Sequence, residues 1–315
     1  MVDQSASPYG HPSNGFQKTS LQQNAAPVAV PKRRRTLASL EKMRRSGEHL
    51  PMITAYDYPS AIMANQADIP MLLVGDSLGM VIQGNDSTIP VTMEEMIYHT
   101  KMVVRGCGRA FVIADMPFFS YATLEEGIKN AVRLIQEGGA QALKIEGSLE
   151  ILPLVNALTV RGIPVMAHIG LRPQSQLQMG LRIQGKNIEG TQRLLEEAMA
   201  FEEAGAFGLL LECIPTEVAK IITKSVDIMT IGIGAGKYCS GQVQVWHDLL
   251  GFCAGKIPRH ARRFADLAPI ITKALSDYAA EVKSGFFPTE AQSVAASPEL
   301  MAALKQEMLA QDETA

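Results

Sequence analysis

The chain has 315 residues, 47% of them hydrophobic and 19% charged, with a formal net charge of -3. That suits one large domain with extensions and offers no electrostatic footprint for nucleic acid. No apolar stretch reaches the roughly 18 residues of a membrane span, and the four cysteines (Cys107, Cys213, Cys239 and Cys253) form no CxxC pair, so they read as reduced thiols of a cytoplasmic protein.

Residues 1–31 are rich in Ser, Gln, Asn, Pro and Gly and read as a disordered tail without secretory or transit character. The run Lys32 to Arg35 reads as a solvated flank of the first helix, TLASLEKMRRSG, which ends at Gly47. Eight short apolar runs follow, near 51–57, 71–76, 110–116, 142–147, 164–169, 207–213, 228–233 and 243–247. Such runs, stopping at Gly or Pro, read as buried parallel strands. Helical patterns follow most of them. Thr92 to Glu95 and Thr123 to Glu126 fit capping boxes, and Gly106, Gly138 and Gly205 close helices. Strands alternating with helices around a circle make a (β/α)8 TIM barrel. The expected organisation is a tail at 1–31, a catalytic barrel at 32–290 and a helical extension at 291–315. A helix is expected from Pro258 to Lys283, and another at about 298–310 that packs on a partner subunit.

The polar residues at the run ends are Asp76, Asp115, Lys144 with Glu146, His168 and Glu212. In a barrel these ends share one mouth. Charges gathered there are costly unless paired, and a metal with an anionic substrate would pair them. Asp76 and Asp115 each read singly as turn caps; together with Glu146 they suit a divalent cation. Hard oxygen donors favour Mg²⁺. Lys144 and Glu146 are two apart in one strand and share a face, best placed toward the lumen. Lys144 then neutralises a substrate carboxylate, forms a Schiff base, or simply pairs with Glu146. His168 suits a substrate hydrogen bond or a backbone one. Glu212 follows GLLL, where desolvation makes a stronger base; the alternative is a carboxylate satisfied by amides. GIGAG (Gly232 to Gly236) suits an anion cradle after strand seven, and Tyr56 is placed to close the pocket, with Asp57 capping the next helix.

The stretches ITAYDY, MLLVGDSLGMVIQGNDSTIPVTMEEMIYHT, ADMPFFSYAT, LKIEG, AHIGLRPQS, LLLEC and IGIGAG together resemble the ketopantoate hydroxymethyltransferase family over roughly residues 36–290. The resemblance implies a barrel of the phosphoenolpyruvate/pyruvate type. It implies transfer of a hydroxymethyl group from 5,10-methylenetetrahydrofolate to 3-methyl-2-oxobutanoate, for pantothenate and coenzyme A synthesis. It further implies Mg²⁺ on Asp76 and Asp115 with Glu146 near or on the metal, the oxo acid on Ser77 and Lys144 with His168, Glu212 as proton acceptor, and a homo-oligomer, commonly a decamer. A metal-dependent lyase on another 2-oxo acid, and an inactive copy, are the competing readings. Two departures fall in the segment 172–187, a lid candidate. Arg172 replaces the family's Thr, and Leu181 to Gly185 replace an aromatic-Lys-Val-Gln-Gly stretch.

Overall fold

The computed structural model describes residues 33–252 and 258–312. The sequence-predicted tail, Lys32 and Cys253 lie outside the described residues.

Eight strands pair in chain order: β1 (Leu50–Thr54), β2 (Met71–Val74), β3 (Phe111–Asp115), β4 (Ala142–Glu146), β5 (Val165–Gly170), β6 (Gly208–Glu212), β7 (Met229–Ile233) and β8 (Gly241–Gln244). Every pairing is parallel, and β8 pairs with β1 to close the barrel. Side chains alternate along each strand between the two faces of the wall. Leu50, Met52, Met71, Leu73, Phe111, Ile113, Met166, Leu210, Met229, Ile231 and Val243 pack together inside. Their chain neighbours Ile53, Leu72, Val112, Leu143, Ala167 and Leu209 pack outward with the helices. Asp115, Lys144, Glu146, His168 and Glu212 continue the inward series (Ile113 to Asp115, Met166 to His168, Leu210 to Glu212), so they form the upper layer of the lumen.

The helix ends follow local chemistry. Thr92 and Glu95 make the expected reciprocal cap of the helix Met93–Gly106. Thr123 accepts from the Glu126 amide, but the Glu126 carboxylate meets the Thr123 hydroxyl and not its backbone, so only half of that box forms. Asp57 caps the helix Tyr58–Gln66. Gly205 takes the left-handed conformation that ends a helix, but at the other two ends Gly108 and Gly139 do so, one or two residues past the expected Gly106 and Gly138.

Four expectations are corrected. The strand expected at 51–57 stops at Thr54, and the one expected at 243–247 runs from Gly241 to Gln244, because Trp246–Leu250 is helical. Gly241 is required at that start: a Cβ there would lie 2.1 Å from the Leu50 carbonyl oxygen. The helix expected from Pro258 begins only at Leu267. The Phe264 and Ala265 amides bond back to the Leu249 carbonyl at 2.8 and 3.4 Å, which holds that stretch out of a helix. The basic flank is not wholly solvated: Arg34 donates to the Val104 carbonyl at 3.1 Å and Arg35 pairs with Asp68 at 2.9 Å, tying these two residues to the barrel's outer elements.

No helix separates β7 from β8, which are joined by residues 234–240. The helix Leu267–Ser284 buries none of its residues and exposes Ile270, Leu275 and Tyr278. The C-terminal helix spans Pro298–Asp312. No described helix is long and apolar enough to cross a membrane. The inner layer bears much of the stability: Ile113→Ala should cost about 2–5 kcal/mol in equilibrium urea unfolding, because a fully buried methyl cluster leaves a cavity.

Candidate active site

The strand register sets the site. Asp115 stands beside Lys144, and Glu146 beside His168. Residues paired across neighbouring parallel strands present side chains to the same face, so these four meet over the apolar inner layer. Asp76 enters just past β2, and its backbone amide donates to Asp115 Oδ2 at 3.0 Å. Lys144 Nζ lies 3.0 Å from Asp115 Oδ2 and 3.4 Å from Glu146 Oε1. The Lys–Glu ion pair foreseen as one reading of Lys144 is therefore present, with Asp115 as the nearer partner. His168 Nδ1 is 3.3 Å from Glu146 Oε1 and Nε2 is 3.4 Å from Glu212 Oε2. Neither contact has hydrogen-bond geometry, and both ring nitrogens are buried.

These groups are almost fully buried, with Asp76 at 4% and Asp115 at 2% exposure. Glu212 is the exception, its side chain 16% exposed at the cavity wall. Burial, and then the charge of Asp115, hold the Asp76 carboxyl well above the usual carboxylate range. Burial also raises Asp115 despite Lys144. Burial opposes ionisation of Glu146 too, but Lys144 and His168 outweigh it and hold that carboxyl down at about 2. Asp115, followed by Glu146 and Asp76, overcomes the burial of Lys144 and keeps its ammonium charged. The same contest at His168, won by Glu146, favours imidazolium.

A cavity of about 500 Å³ opens above this layer, a size suited to a small organic acid and part of a larger co-substrate. Asp76, Ser77, Asp115, Lys144, Glu146, His168 and Glu212 line it, and Leu73, Val81, Leu171, Leu210 and Ile233 supply an apolar wall. Tyr56 does not line the cavity. It is 1% exposed and its hydroxyl lies 2.8 Å from Ser77 Oγ, so it braces Ser77 from behind and does not close the pocket.

The segment 172–187 reaches the mouth through Pro173, Gln176 and Leu181. Arg172 pairs with Glu150 at 3.6 Å, and Arg182 is exposed. Gly234 and Gly236 of GIGAG border a separate, more open groove of about 980 Å³ that meets the cavity at Cys213, Gln244 and His260. A Cβ on Gly236 would lie 2.4 Å from Thr216, so this glycine serves close packing of the β7–β8 connection.

Sequence reasoning missed Gln174 and Tyr121. Gln174 is buried, and its Nε2 donates to Asp76 Oδ2 at 2.7 Å and to the Met116 carbonyl at 2.9 Å. Its backbone amide donates to Glu146 Oε2 at 3.0 Å. The Tyr121 hydroxyl lies 2.5 Å from Gln174 Oε1 and 3.0 Å from the Glu146 carbonyl oxygen. The local signals were Pro173, which fixes the backbone just before Gln174, and the stretches AHIGLRPQS and ADMPFFSYAT, which contain the two residues.

The donor set fits a divalent cation at Asp76 and Asp115. Asp115 Oδ1 is buried and has no protein partner among the described residues. Both Glu146 oxygens are engaged, by Lys144 and by the Gln174 amide. Among the described residues no three His, Cys, Asp or Glu side chains are arranged to hold a metal on their own. Two carboxylates are enough for Mg²⁺, which keeps several water or substrate oxygens.

Gly170 sets the position of Glu212. Its φ is +93°, and a Cβ there would lie 2.3 Å from the Glu212 carbonyl oxygen, which accepts from the Leu171 amide at 2.8 Å. Gly170→Ala should therefore cost about 1–3 kcal/mol of backbone strain in urea unfolding and should lower activity beyond the loss of folded protein. Unchanged stability and activity would contradict this reading.

The family model for ketopantoate hydroxymethyltransferase matches residues 34–290. The 3-methyl-2-oxobutanoate hydroxymethyltransferase of Gluconacetobacter diazotrophicus is 53% identical over 273 residues, 86% of this chain and 99% of that protein. The enzyme of the same name from Chloroflexus aggregans is 53% identical over 272 residues, 86% of this chain and 98% of its own. In fold, the chain is similar to a phosphoenolpyruvate phosphomutase from Streptomyces platensis subsp. rosaceus (TM-score 0.56, 14% identity, 89% of this chain and 98% of that one). It is likewise similar to a phosphonopyruvate hydrolase solved with oxalate and Mg²⁺ (TM-score 0.55, 15% identity, 88% and 98% covered). With the barrel closed, the charged layer in its mouth and a family match spanning the whole catalytic barrel, the chain belongs to the ketopantoate hydroxymethyltransferase family, a family of transferases.

Proposed function

We propose that this site transfers the hydroxymethyl group of 5,10-methylenetetrahydrofolate to C3 of 3-methyl-2-oxobutanoate, with Glu212 as base and Mg²⁺ held by Asp76 and Asp115. The observation that carries this reading is the content of one cavity. Two carboxylates, one with a buried oxygen that has no partner among the described residues, share the cavity with a fixed ammonium, a partly exposed carboxylate and an apolar wall. The names of relatives at 53% identity support the activity.

Lys144 supplies positive charge to the oxo acid's oxygens, and its ammonium is kept charged by Asp115 and Glu146. No Schiff base is needed, and a lysine held protonated by two carboxylates is a poor nucleophile. Ser77, braced by Tyr56, donates a hydroxyl. The apolar wall takes the isopropyl end and turns C3 toward Glu212. Glu212 then accepts the C3 proton; the C–H pair moves into the C2–C3 bond and the carbonyl pair to the keto oxygen. A ketone C–H is a far weaker acid than a carboxylic acid, and each pKa unit of that gap costs about 1.4 kcal/mol. Fixed charge aimed at the developing oxyanion narrows the gap. Mg²⁺, when bound, would add Lewis-acid charge at the substrate's carbonyl. His168 steadies Glu212 at 3.4 Å, and its imidazolium compensates the carboxylate before the proton arrives. C3 finally attacks the donor's methylene carbon: the new C–C bond replaces one of its C–N bonds, the oxygen of a water molecule replaces the other, and both bonding pairs return to the folate nitrogens, which take up the C3 proton and one proton of the water as tetrahydrofolate leaves. The exposed apolar side chains of the helix Leu267–Ser284 support the homo-oligomer reading.

The test is C3 proton exchange of 3-methyl-2-oxobutanoate in D₂O by NMR. Exchange should need Mg²⁺, stop with chelator and fall about 10²- to 10⁴-fold in Glu212→Gln, the usual worth of a general base. Adding the folate should convert exchange into ketopantoate formation. Asp76→Asn should lose the metal dependence together with the activity. Full exchange in Glu212→Gln would sink the base assignment; exchange without ketopantoate would point to another one-carbon or aldehyde donor.

A further inference from the structure

Gln174 is the most heavily engaged side chain of the site, yet it stands on a loop and not on the barrel. It lies in the single turn Pro173–Ser175 that opens the segment 172–187. Its contacts join three other parts of the fold: Asp76 beyond β2, Met116 and Tyr121 of the loop beyond β3, and Glu146 of β4. The partners fix the amide's orientation, because a carboxylate and a carbonyl must face the NH₂ and a hydroxyl can face the oxygen.

The chemistry of this position is specific. A neutral amide donates to Asp76 without cancelling its charge, as a lysine or arginine would. By occupying Asp76 Oδ2 it leaves the other Asp76 oxygen for a cation, and Asp115, tied to Asp76 through its backbone amide, has an Oδ1 with no partner among the described residues. By occupying Glu146 Oε2 through its backbone amide it keeps that carboxylate turned toward Lys144 and His168. The residue that orders the two aspartates is thus also the anchor of the segment over the cavity mouth.

We propose that Gln174 is a positioning residue that aims Asp76 at a divalent cation and so links cation binding to the order of the 172–187 segment. The proposal rests on the metal reading above. By mass action the link works both ways: a cation that favours the ordered Asp76 steadies the segment, and loosening the segment weakens the cation.

The test titrates Mn²⁺ into the full chain by electron paramagnetic resonance and follows tryptic cleavage after Arg182 or Lys186 with and without Mn²⁺. In the wild type Mn²⁺ should bind and slow cleavage. Gln174→Leu should weaken Mn²⁺ binding about 10- to 100-fold, the usual effect of removing a partner that orients a ligand, and should abolish the protection. Tyr121→Phe removes only the hydroxyl beside Gln174 Oε1 and should weaken binding about three- to tenfold. If Gln174→Leu does not fold, as judged by circular dichroism, Tyr121→Phe decides alone. Unchanged Mn²⁺ affinity in the folded variants, or protection that survives in Gln174→Leu, would overturn the link. A wild type that binds no Mn²⁺ would instead remove the metal reading, and the link with it.

Discussion

Lys144 is the interaction on which the rest of the site depends. It is one ammonium, 4% exposed, placed by β4 between Asp115 on its neighbouring strand and Glu146 on its own. A buried carboxylate is expensive unless something compensates it. Without Lys144 the upper layer of the lumen would be acidic groups facing a single imidazole. With it, Glu146 is fully ionised and can hold His168, which in turn faces Glu212. Four carboxylates against one ammonium and one imidazolium still leave two negative charges at full ionisation, and the burial of Asp76 and Asp115 resists that state. We propose that a divalent cation completes the balance of this cluster.

The barrel supplies the conditions for this chemistry in two layers. Below, Phe111, Ile113, Met166 and Ile231 fill the lumen and exclude water. Above, the ends of β3 to β6 hold the charges at positions set by strand register. Charges in so dry a place interact more strongly than in water, and strand ends hold them with little freedom to reorganise. Loops then finish the cavity. Gly170 lets the Glu212 backbone come close, Tyr56 braces Ser77, and the segment opened by Arg172 and Gln174 lies over the mouth.

Much of the fold was legible because parallel strands announce themselves. All eight apolar runs became strands, since a run buried on both faces has few other uses. The ends were less legible. β8 begins at Gly241, where the close approach to Leu50 is a property of the closed barrel and not of the local sequence. The helix after Pro258 starts late because the amides of Phe264 and Ala265 are spent on a carbonyl far earlier in the chain. The helix Met93–Gly106 ends at the expected Gly106, but the left-handed backbone falls just beyond, at Gly108 and Gly139, because packing decides which of the nearby glycines is driven into that region.

The site divides in the same way. Asp76, Asp115, Lys144, Glu146, His168 and Glu212 were readable because each breaks an apolar run at a strand end, and two-residue periodicity already put Lys144 and Glu146 on one face. Tyr56 was misplaced because nothing local distinguishes a side chain that lines a cavity from one that braces its neighbour. Gln174 falls inside the stretch AHIGLRPQS, but its role was not legible, because it lies in a loop with no periodicity and a glutamine there is as ordinary as any surface residue. The sequence by itself determined which groups stand at the strand ends, through alternation and apolar patterning along each strand. Only the tertiary structure decided that Lys144 pairs first with Asp115, that Glu146 is spent on Lys144, His168 and a loop amide, and that Asp115 keeps one oxygen without a partner among the described residues. Those pairings depend on strand register and loop return, which are set by contacts between residues far apart in the chain.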